Sequence, residues 1–411
     1  MPIVYNIVIK AYFLLVLLFS IFNQKAKFWI SGRKKWQEKY KVKPTTSKVW
    51  FHFASLGEFE QGKPLLQYFK NNYPAKEIII TFYSPSGYEV RKNTNLADYI
   101  LYLPLDTPKN AKEFLDIFKP EIAFFNKYEY WYHFFKETRN QQIPLYITSA
   151  IFREKQIFFK FYGGFFREIL SCVTHFYLQD QNSAQFLKSI GFNNYTITGD
   201  TRFDSVSQIA KNKKDFPEIL KFKQENNLFI GGSTWPEDEE LIAKFIKSYP
   251  SNWKFIFAPH EISENKLVAL EGLLNQKSIR YSKIDDHTDI AALKILIIDN
   301  IGLLSSLYAY ADIAFIGGGF GAGIHNTLEA AAWGLPVIFG PNYQKFDEAK
   351  SLIEKKAGFG ISNFEELEQV LTNLIKDSGF RKTTGQLAKD FVEQNIGATQ
   401  KIMQEVYKNK I

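Results

Sequence analysis

The sequence predicts an α/β protein made of two successive units, each with a parallel sheet and ligand loops at the carboxyl ends of its strands. Three observations carry that expectation. In both halves short apolar runs alternate with stretches of helical length, the rhythm of βαβ units. A polar, charged segment from Lys211 to Lys221 interrupts that rhythm in mid-chain and reads as a linker. Ala314 to Pro341, AFIGGGFGAGIHNTLEAAAWGLPVIFGP, reads as strand, glycine loop, helix and strand in immediate succession. With 411 residues the chain is long enough for two such domains, each with a substantial core.

The net charge of +8 favours an anionic partner, whether membrane surface, nucleotide or nucleic acid. A single cysteine, Cys172, excludes an intramolecular disulfide and suits a reducing compartment. The six histidines show no HExxH or similar spacing, so no protein-bound metal is expected. Most of the 39 Phe and 22 Tyr must simply fill cores.

Ile3 to Phe22 is mostly apolar, with Lys10 its only charge. A spanning helix needs about 20 apolar residues. This stretch therefore spans if Lys10 snorkels, and otherwise lies at the interface. Lys25, Lys27, Arg33, Lys34, Lys35, Lys39, Lys41 and Lys43 follow directly. Basic residues on that flank keep it cytoplasmic and bind anionic lipid, with Trp29 and Trp36 expected at headgroup level. No small-residue cleavage site follows Phe22, which argues against a cleaved signal.

From Val49 the alternation begins: VWFHFA, SLGEFEQGKPLLQYFK, EIIITFY, then a helix after Ser84. Ser55 to Glu58 falls at a strand's carboxyl end and sets Glu58 in the first turn of the next helix. There a carboxylate serves either as a favourable helix N-terminal charge or as a general base within reach of an acceptor hydroxyl. EIAFFN, after Pro120, is a buried strand ending at Lys127, Glu129 and Trp131, the first two forming either a solvated ion pair or part of a site. Leu145 to Ser149 is the next strand, with Arg153 beyond it. Tyr195 to Gly199 leads to Asp200, Thr201, Arg202 and Asp204, and Arg202 is either a surface charge or the neutraliser of an anionic donor.

The second half restarts the rhythm. LFIGGSTWPEDEELI is a strand, a small-residue loop and an acid-started helix; FIFAPHE ends a strand at Pro259 and His260; ILIIDN is followed by Ile301 and Gly302. Gly317 to Gly323 holds five glycines in seven residues, which allow close backbone approach to a ligand. His325 to Trp333 is expected to be helical, putting His325 and Glu329 on one face with Asn326 beside them, and Glu329 suits a ribose diol. The loop does not fit GxxxxGK[ST]. Loops converging on one sheet edge predict a nucleotide site in this half.

SLGEFEQGKPLL, GDTRFD, GGSTWPEDEELI, DNIGLLSSLYAYADIAFIGGGFG and GIHNTLEAAAWGLPVIFGP, in this order and spacing, resemble the Kdo (3-deoxy-D-manno-oct-2-ulosonic acid) transferases of lipopolysaccharide assembly. The resemblance covers almost the whole chain, including the N-terminal anchor and the basic GRKKW segment. It implies the GT-B architecture, two Rossmann-like domains facing a cleft, at the cytoplasmic face of the bacterial inner membrane. It also implies transfer of Kdo from CMP-Kdo to a lipid A precursor, without nucleic acid as a partner. By position Glu58 matches the general base, and Lys127 and Arg202 match two positions that stabilise the transition state. Pro259 with His260, Ile301, Gly302 and Leu303, and Asn326, Thr327, Leu328 and Glu329 match the segments that bind CMP. A CMP leaving group carries one phosphate, so no metal cofactor is expected. The implied domains are a membrane anchor and basic collar over 1–43, an acceptor domain over 44–210 and a CMP-sugar domain over 211–411.

Several positions depart from the family pattern. Lys127 to Tyr132 stands where Glu-x-Glu-Leu-Trp-Pro is usual, so a base replaces the first acid. Pro259, His260, Glu261 replaces Pro-Arg-His, and Arg202 replaces a lysine. Ser149, Ala150, Ile151 replaces Asn-Ala-Arg, with Arg153 the nearest cation. Two rival readings share the glycine, His and Glu loops: a soluble-type sugar-nucleotide epimerase, which the anchor argues against, and a non-catalytic sugar-nucleotide-binding membrane protein.

Overall fold

The structure, a computed structural model, describes residues 1–43, 45–249, 252–274 and 278–408. The chain divides into two compact units, Met1–Ser205 with Ile396–Ile411, and Val206–Asn395.

Among the described residues the first unit holds seven strands: β1 (Lys48–Phe53), β2 (Glu77–Phe82), β3 (Tyr99–Tyr102), β4 (Ile122–Asn126), β5 (Leu145–Ala150), β6 (His175–Leu178) and β7 (Tyr195–Ile197). They pair in parallel in the order β3-β2-β1-β4-β5-β6-β7. Every residue of β1 is buried, as expected of a strand covered by helices on both faces. Alternation along it splits the core into two layers. Trp50 points into a layer with Phe114, Phe125 and Phe134. Val49, Phe51 and Phe53 point into the other, with Phe69 and Phe124.

The second unit repeats the plan with β8 (Leu228–Thr234), β9 (Lys254–Pro259), β10 (Ser278–Arg280), β11 (Ile295–Ile297), β12 (Ile313–Ile316), β13 (Val337–Phe339) and β14 (Gly358–Gly360). The order is β10-β11-β9-β8-β12-β13-β14, again all parallel. Each sheet reverses direction of growth beside its first strand, between β1 and β4 and between β8 and β12. In such sheets the loops at that reversal diverge and leave a crevice for ligands.

Four expectations are corrected. The segment from Ile396, expected in the second domain, belongs to the first unit. Its helix Ala398–Lys408 contributes Ile402, Met403 and Val406 to the core layer of Leu65, Leu66 and Phe69. Asp204 fixes it by accepting from Gly397 N at 2.6 Å and Thr399 N at 2.7 Å. The expected linker is partly helical, and the unit boundary falls earlier, inside the helix Thr201–Lys211. Trp29 and Trp36, expected at headgroup level, are buried. Arg33, expected in the lipid-binding collar, is buried as well: it donates to the carbonyls of Leu103 (2.8 Å), Trp29 (3.0 Å) and Tyr83 (2.8 Å), with its guanidinium 3.8 Å from the Trp29 ring centre. The anchor stretch is helical over Pro2–Phe19, with the length and apolarity of a membrane-crossing segment.

Candidate functional site

In the first unit the reversal point gathers Glu58, Lys127 and Arg202. β1 ends at Phe53 and the helix Leu56–Asn72 starts three residues later, so Glu58 sits in its first turn, half-buried. The Ser55 hydroxyl donates to the Glu58 carboxylate. On the neighbouring strand β4, the Asn126 amide donates to the Glu58 carbonyl at 3.2 Å and to Gln61 Oε1 at 3.0 Å. Gln61 in turn donates to Asp200 Oδ1 at 2.6 Å, and Arg202 Nε reaches Asp200 Oδ2 at 2.7 Å. Lys127 follows Asn126 in a left-handed turn with φ of 60°, its backbone N–H held by Thr148 O at 3.0 Å.

Asp200 is the hub of this network. Burial pushes its carboxyl up, but Arg202 and Lys127 outweigh burial and hold it below the ordinary carboxylate value. Tyr128 is raised by burial and lies in the field of Arg153, Arg202, Glu58 and Asp200. That field ties exposed Arg153 to the same cluster. Sequence reasoning noted Asp200 only as a neighbour of Arg202 and missed Gln61 and Asn126. A Gly-Asp pair closing a strand was the available signal for the first; two buried amides on different elements leave none.

Behind the cluster, His52 on β1 is fully buried, with Nδ1 2.8 Å from Thr81 Oγ1 and Nε2 3.4 Å from Glu129 Oε2. The Trp131 indole donates to the same carboxylate oxygen at 2.9 Å. Glu129 is thus tied to buried His52 and to the Trp131 indole.

In the second unit the predicted residues lie at the carboxyl edge. Pro259 ends β9 and His260 follows it; Ile301, Gly302 and Leu303 follow β11; Asn326 and Thr327 lie on the loop after β12, and Leu328 and Glu329 open the next helix. The helix there spans only Leu328–Ala332, so His325 precedes it and does not share a helical face with Glu329. His325 instead stacks on His260, ring centres 4.4 Å apart, and His260 stacks on Trp235 at 5.0 Å. Trp235 Nε1 donates to His325 Nε2 at 3.2 Å. Burial first, and His260 second, push His325 down to about 4, which keeps it a neutral acceptor. Asn326 donates to Glu329 Oε1 at 3.0 Å and caps Leu328 N at 3.1 Å, fixing the carboxylate at the helix start. Ile301 and Gly302 are exposed.

The glycine run owes its composition to backbone packing. A Cβ at Gly317 would lie 2.3 Å from Ser233 O, and one at Gly319 would lie 2.6 Å from the Gly340 backbone. The loop after β12 therefore threads between the end of β8 and the loop after β13. Its amides are partly used internally: Gly317 N donates to Gly232 O, Gly318 N to Asp238 Oδ2, and Gly321 N and Gly323 N to Gly318 O.

The two Rossmann-like sheets have a GT-B-like architecture, and together with the family matches that follow they make the chain a sugar-nucleotide-using enzyme of the glycosyltransferase and epimerase type. The solved UDP-GlcNAc 2-epimerase from Neisseria meningitidis, bound to UDP-GlcNAc, shares this fold: TM-score 0.64 at 16% identity, covering 88% of this chain and 100% of that one. The family model for 3-deoxy-D-manno-octulosonic-acid transferase (kdotransferase) matches residues 34–205. A 3-deoxy-D-manno-octulosonic acid transferase of Chlamydophila psittaci is 31% identical over 330 residues, 78% of this chain and 76% of its own. Another, from Chlamydia trachomatis serovar A, is 28% identical over 373 residues, 88% and 86% of the two chains. The chain belongs to the Kdo transferase family.

Proposed function

We propose that the protein is an inverting glycosyltransferase that moves Kdo from CMP-Kdo to a lipid A precursor. Glu58 takes the proton from a 6-hydroxyl of the glucosamine disaccharide. The freed oxygen forms a bond to the anomeric carbon of Kdo, the bond from that carbon to the phosphate oxygen breaks, and CMP leaves with the electron pair. Lys127 and Arg202 face the developing charge, and Asp200 holds Arg202 in place. Pro259, His260, Ile301 to Leu303 and Asn326 to Glu329 hold CMP, with Glu329 taking the ribose hydroxyls. The helix Pro2–Phe19 and exposed lysines after it keep the enzyme at the anionic cytoplasmic face of the inner membrane, where its acceptor resides.

The observation that carries this reading is the position of Glu58, in the first turn of its helix at the strand-order reversal and bonded into the network of Asp200 and Arg202. The test is an assay of purified protein with CMP-Kdo and a tetra-acylated lipid A precursor, products read by mass spectrometry. A gain of one or more Kdo masses is expected, abolished by Glu58→Gln with CMP binding retained. Loss of both activities in Glu58→Gln would make Glu58 structural. Turnover of UDP-GlcNAc without any lipid would favour the epimerase reading.

A further inference from the structure

The helix Pro2–Phe19 is bound to the rest of the first unit. Tyr5 Oη donates to Asp106 Oδ2 at 2.5 Å, and Asn6 Oδ1 lies 2.6 Å from His133 Nε2. Asp106 is buried and also accepts from the backbone N–H groups of His133 and Phe134, both at 3.1 Å. The first turns of the N-terminal helix are thereby tied to the start of the helix Tyr132–Asn140. Further along, Ile9 is buried and Phe13 packs on buried Trp29 with ring centres 6.3 Å apart. Tyr5, Asn6, Ile9, Phe13 and Val16 form one stripe at helical spacing, and all are at least half-buried. Ile3, Val4, Ile7, Leu14, Leu15 and Leu18 cover the opposite side and are exposed.

A helix that crosses a bilayer must surrender its contacts with a water-soluble domain over the crossing length. Here that would break the Tyr5 and Asn6 bonds and leave Asp106 and His133 buried without those partners. A helix lying in the interface keeps them and still buries its free apolar face.

A second apolar feature stands beside the first. Phe161 is 95% exposed and Tyr162 57% exposed. Their loop is held in shape, because Arg167 Nη1 donates to the carbonyls of Phe158 (2.9 Å) and Lys160 (3.0 Å), and a Cβ at Gly163 would lie 2.2 Å from Ile157 O. Phe165, a few residues on, packs against Tyr5 with ring centres 5.8 Å apart. Two aromatic rings on a fixed loop suit the headgroup boundary. Exposed Lys10, Lys25 and Lys27 add the charge that favours an anionic surface.

Resting on the membrane attachment proposed above, we infer that the first unit docks on one leaflet of an anionic bilayer without crossing it. The N-terminal helix lies in the membrane plane, and Phe161 and Tyr162 form a second insertion point.

The first arm of the test uses full-length protein carrying Cys172→Ser with Lys10→Cys or Asn23→Cys, two exposed positions, in bacterial membranes probed with a membrane-impermeant maleimide. Both positions are expected to react in inverted vesicles and neither in spheroplasts, because an in-plane helix keeps Lys10 at the headgroup surface whereas a spanning one sets it in mid-bilayer. Failure of Lys10→Cys to react in inverted vesicles in which Asn23→Cys does react would overturn the in-plane helix while leaving attachment intact. Absence of the protein from washed membranes would overturn attachment and docking together. The second arm measures partitioning of purified protein onto vesicles containing phosphatidylglycerol. Phe161→Ser with Tyr162→Ser should weaken it about tenfold, whereas Leu220→Ser with Val268→Ser, two exposed apolar positions of the other unit, should not. Equal partitioning of both double variants would overturn the second insertion point.

Discussion

Arg202 closes on Asp200 at the end of β7: its Nε lies 2.7 Å from one carboxylate oxygen and its backbone N–H 2.9 Å from the other. The pair is local, two residues apart, yet Gln61 binds the same carboxylate from a helix 139 residues earlier in the chain. A cation proposed to face the reaction is therefore set by a buried acid that faces none of it.

Asp200→Ala leaves Arg202 and the Gln61 amide without their shared acceptor. A quarter of the Arg202 side chain is exposed, so the loss is that of charge-assisted hydrogen bonds, about 2–3 kcal/mol. Urea unfolding of the variant should show a loss of that order, and a double-mutant cycle with Arg202→Ala should show coupling between the two. Additive losses would mean that the pair is not energetically linked. Because the folded carboxyl lies below its ordinary value of 3.8, this stabilisation is fully present above that value. It is lost only as pH falls through the lower folded one.

His325 gives a pH dependence of opposite origin. The unfolded chain binds its proton near the ordinary value of 6.5, while the folded protein does so only at about 4. Between those values the unfolded state holds more protons, so stability falls as pH drops from 6.5 towards 4. His133, also pushed down to about 4 by burial, acts the same way in the other unit. Thermal unfolding of His325→Gln across that window should show a shallower pH slope than the parent. An unchanged slope would mean that His325 is not held neutral.

Gly319→Ala tests the packing role of the glycine loop. The added Cβ meets the backbone of Gly340, which has no flexible end to move aside. Such overpacking costs about 1–3 kcal/mol. Calorimetry should show a lowered Tm together with weakened CMP binding. Normal stability with lost binding would instead assign the glycine to ligand approach.

Arg33→Lys tests whether the basic segment after the N-terminal helix serves lipid or fold at this position. An ammonium cannot reproduce three divergent carbonyl bonds and the stacking on Trp29. Loss of about 2–3 kcal/mol is expected in urea unfolding, with vesicle partitioning little changed. A change in partitioning alone would return Arg33 to the lipid surface.

Much of the fold was legible because parallel sheets buried on both faces write continuous apolar runs, and EIIITFY, EIAFFN and FIFAP are such runs. The position of Glu58 was equally legible, since a strand, a short turn and a helix start are local features. Trp29, Trp36 and Arg33 misled for a physical reason: the same residues that mark a membrane border also build a buried cation site, and only their neighbours distinguish the two. His325 misled because a glycine-rich approach delayed the helix to Leu328.

The sequence by itself determined the alternation of elements, the two glycine-bearing units and the family, since these depend on local pattern and ordered motifs. Only the tertiary structure decided that Gln61, Asn126 and Asp200 form one network, that His260 stacks between Trp235 and His325, and that the last helix returns to the first unit. Each of these depends on atoms far apart in sequence meeting within hydrogen-bond or van der Waals range, and no periodicity along the chain encodes that distance.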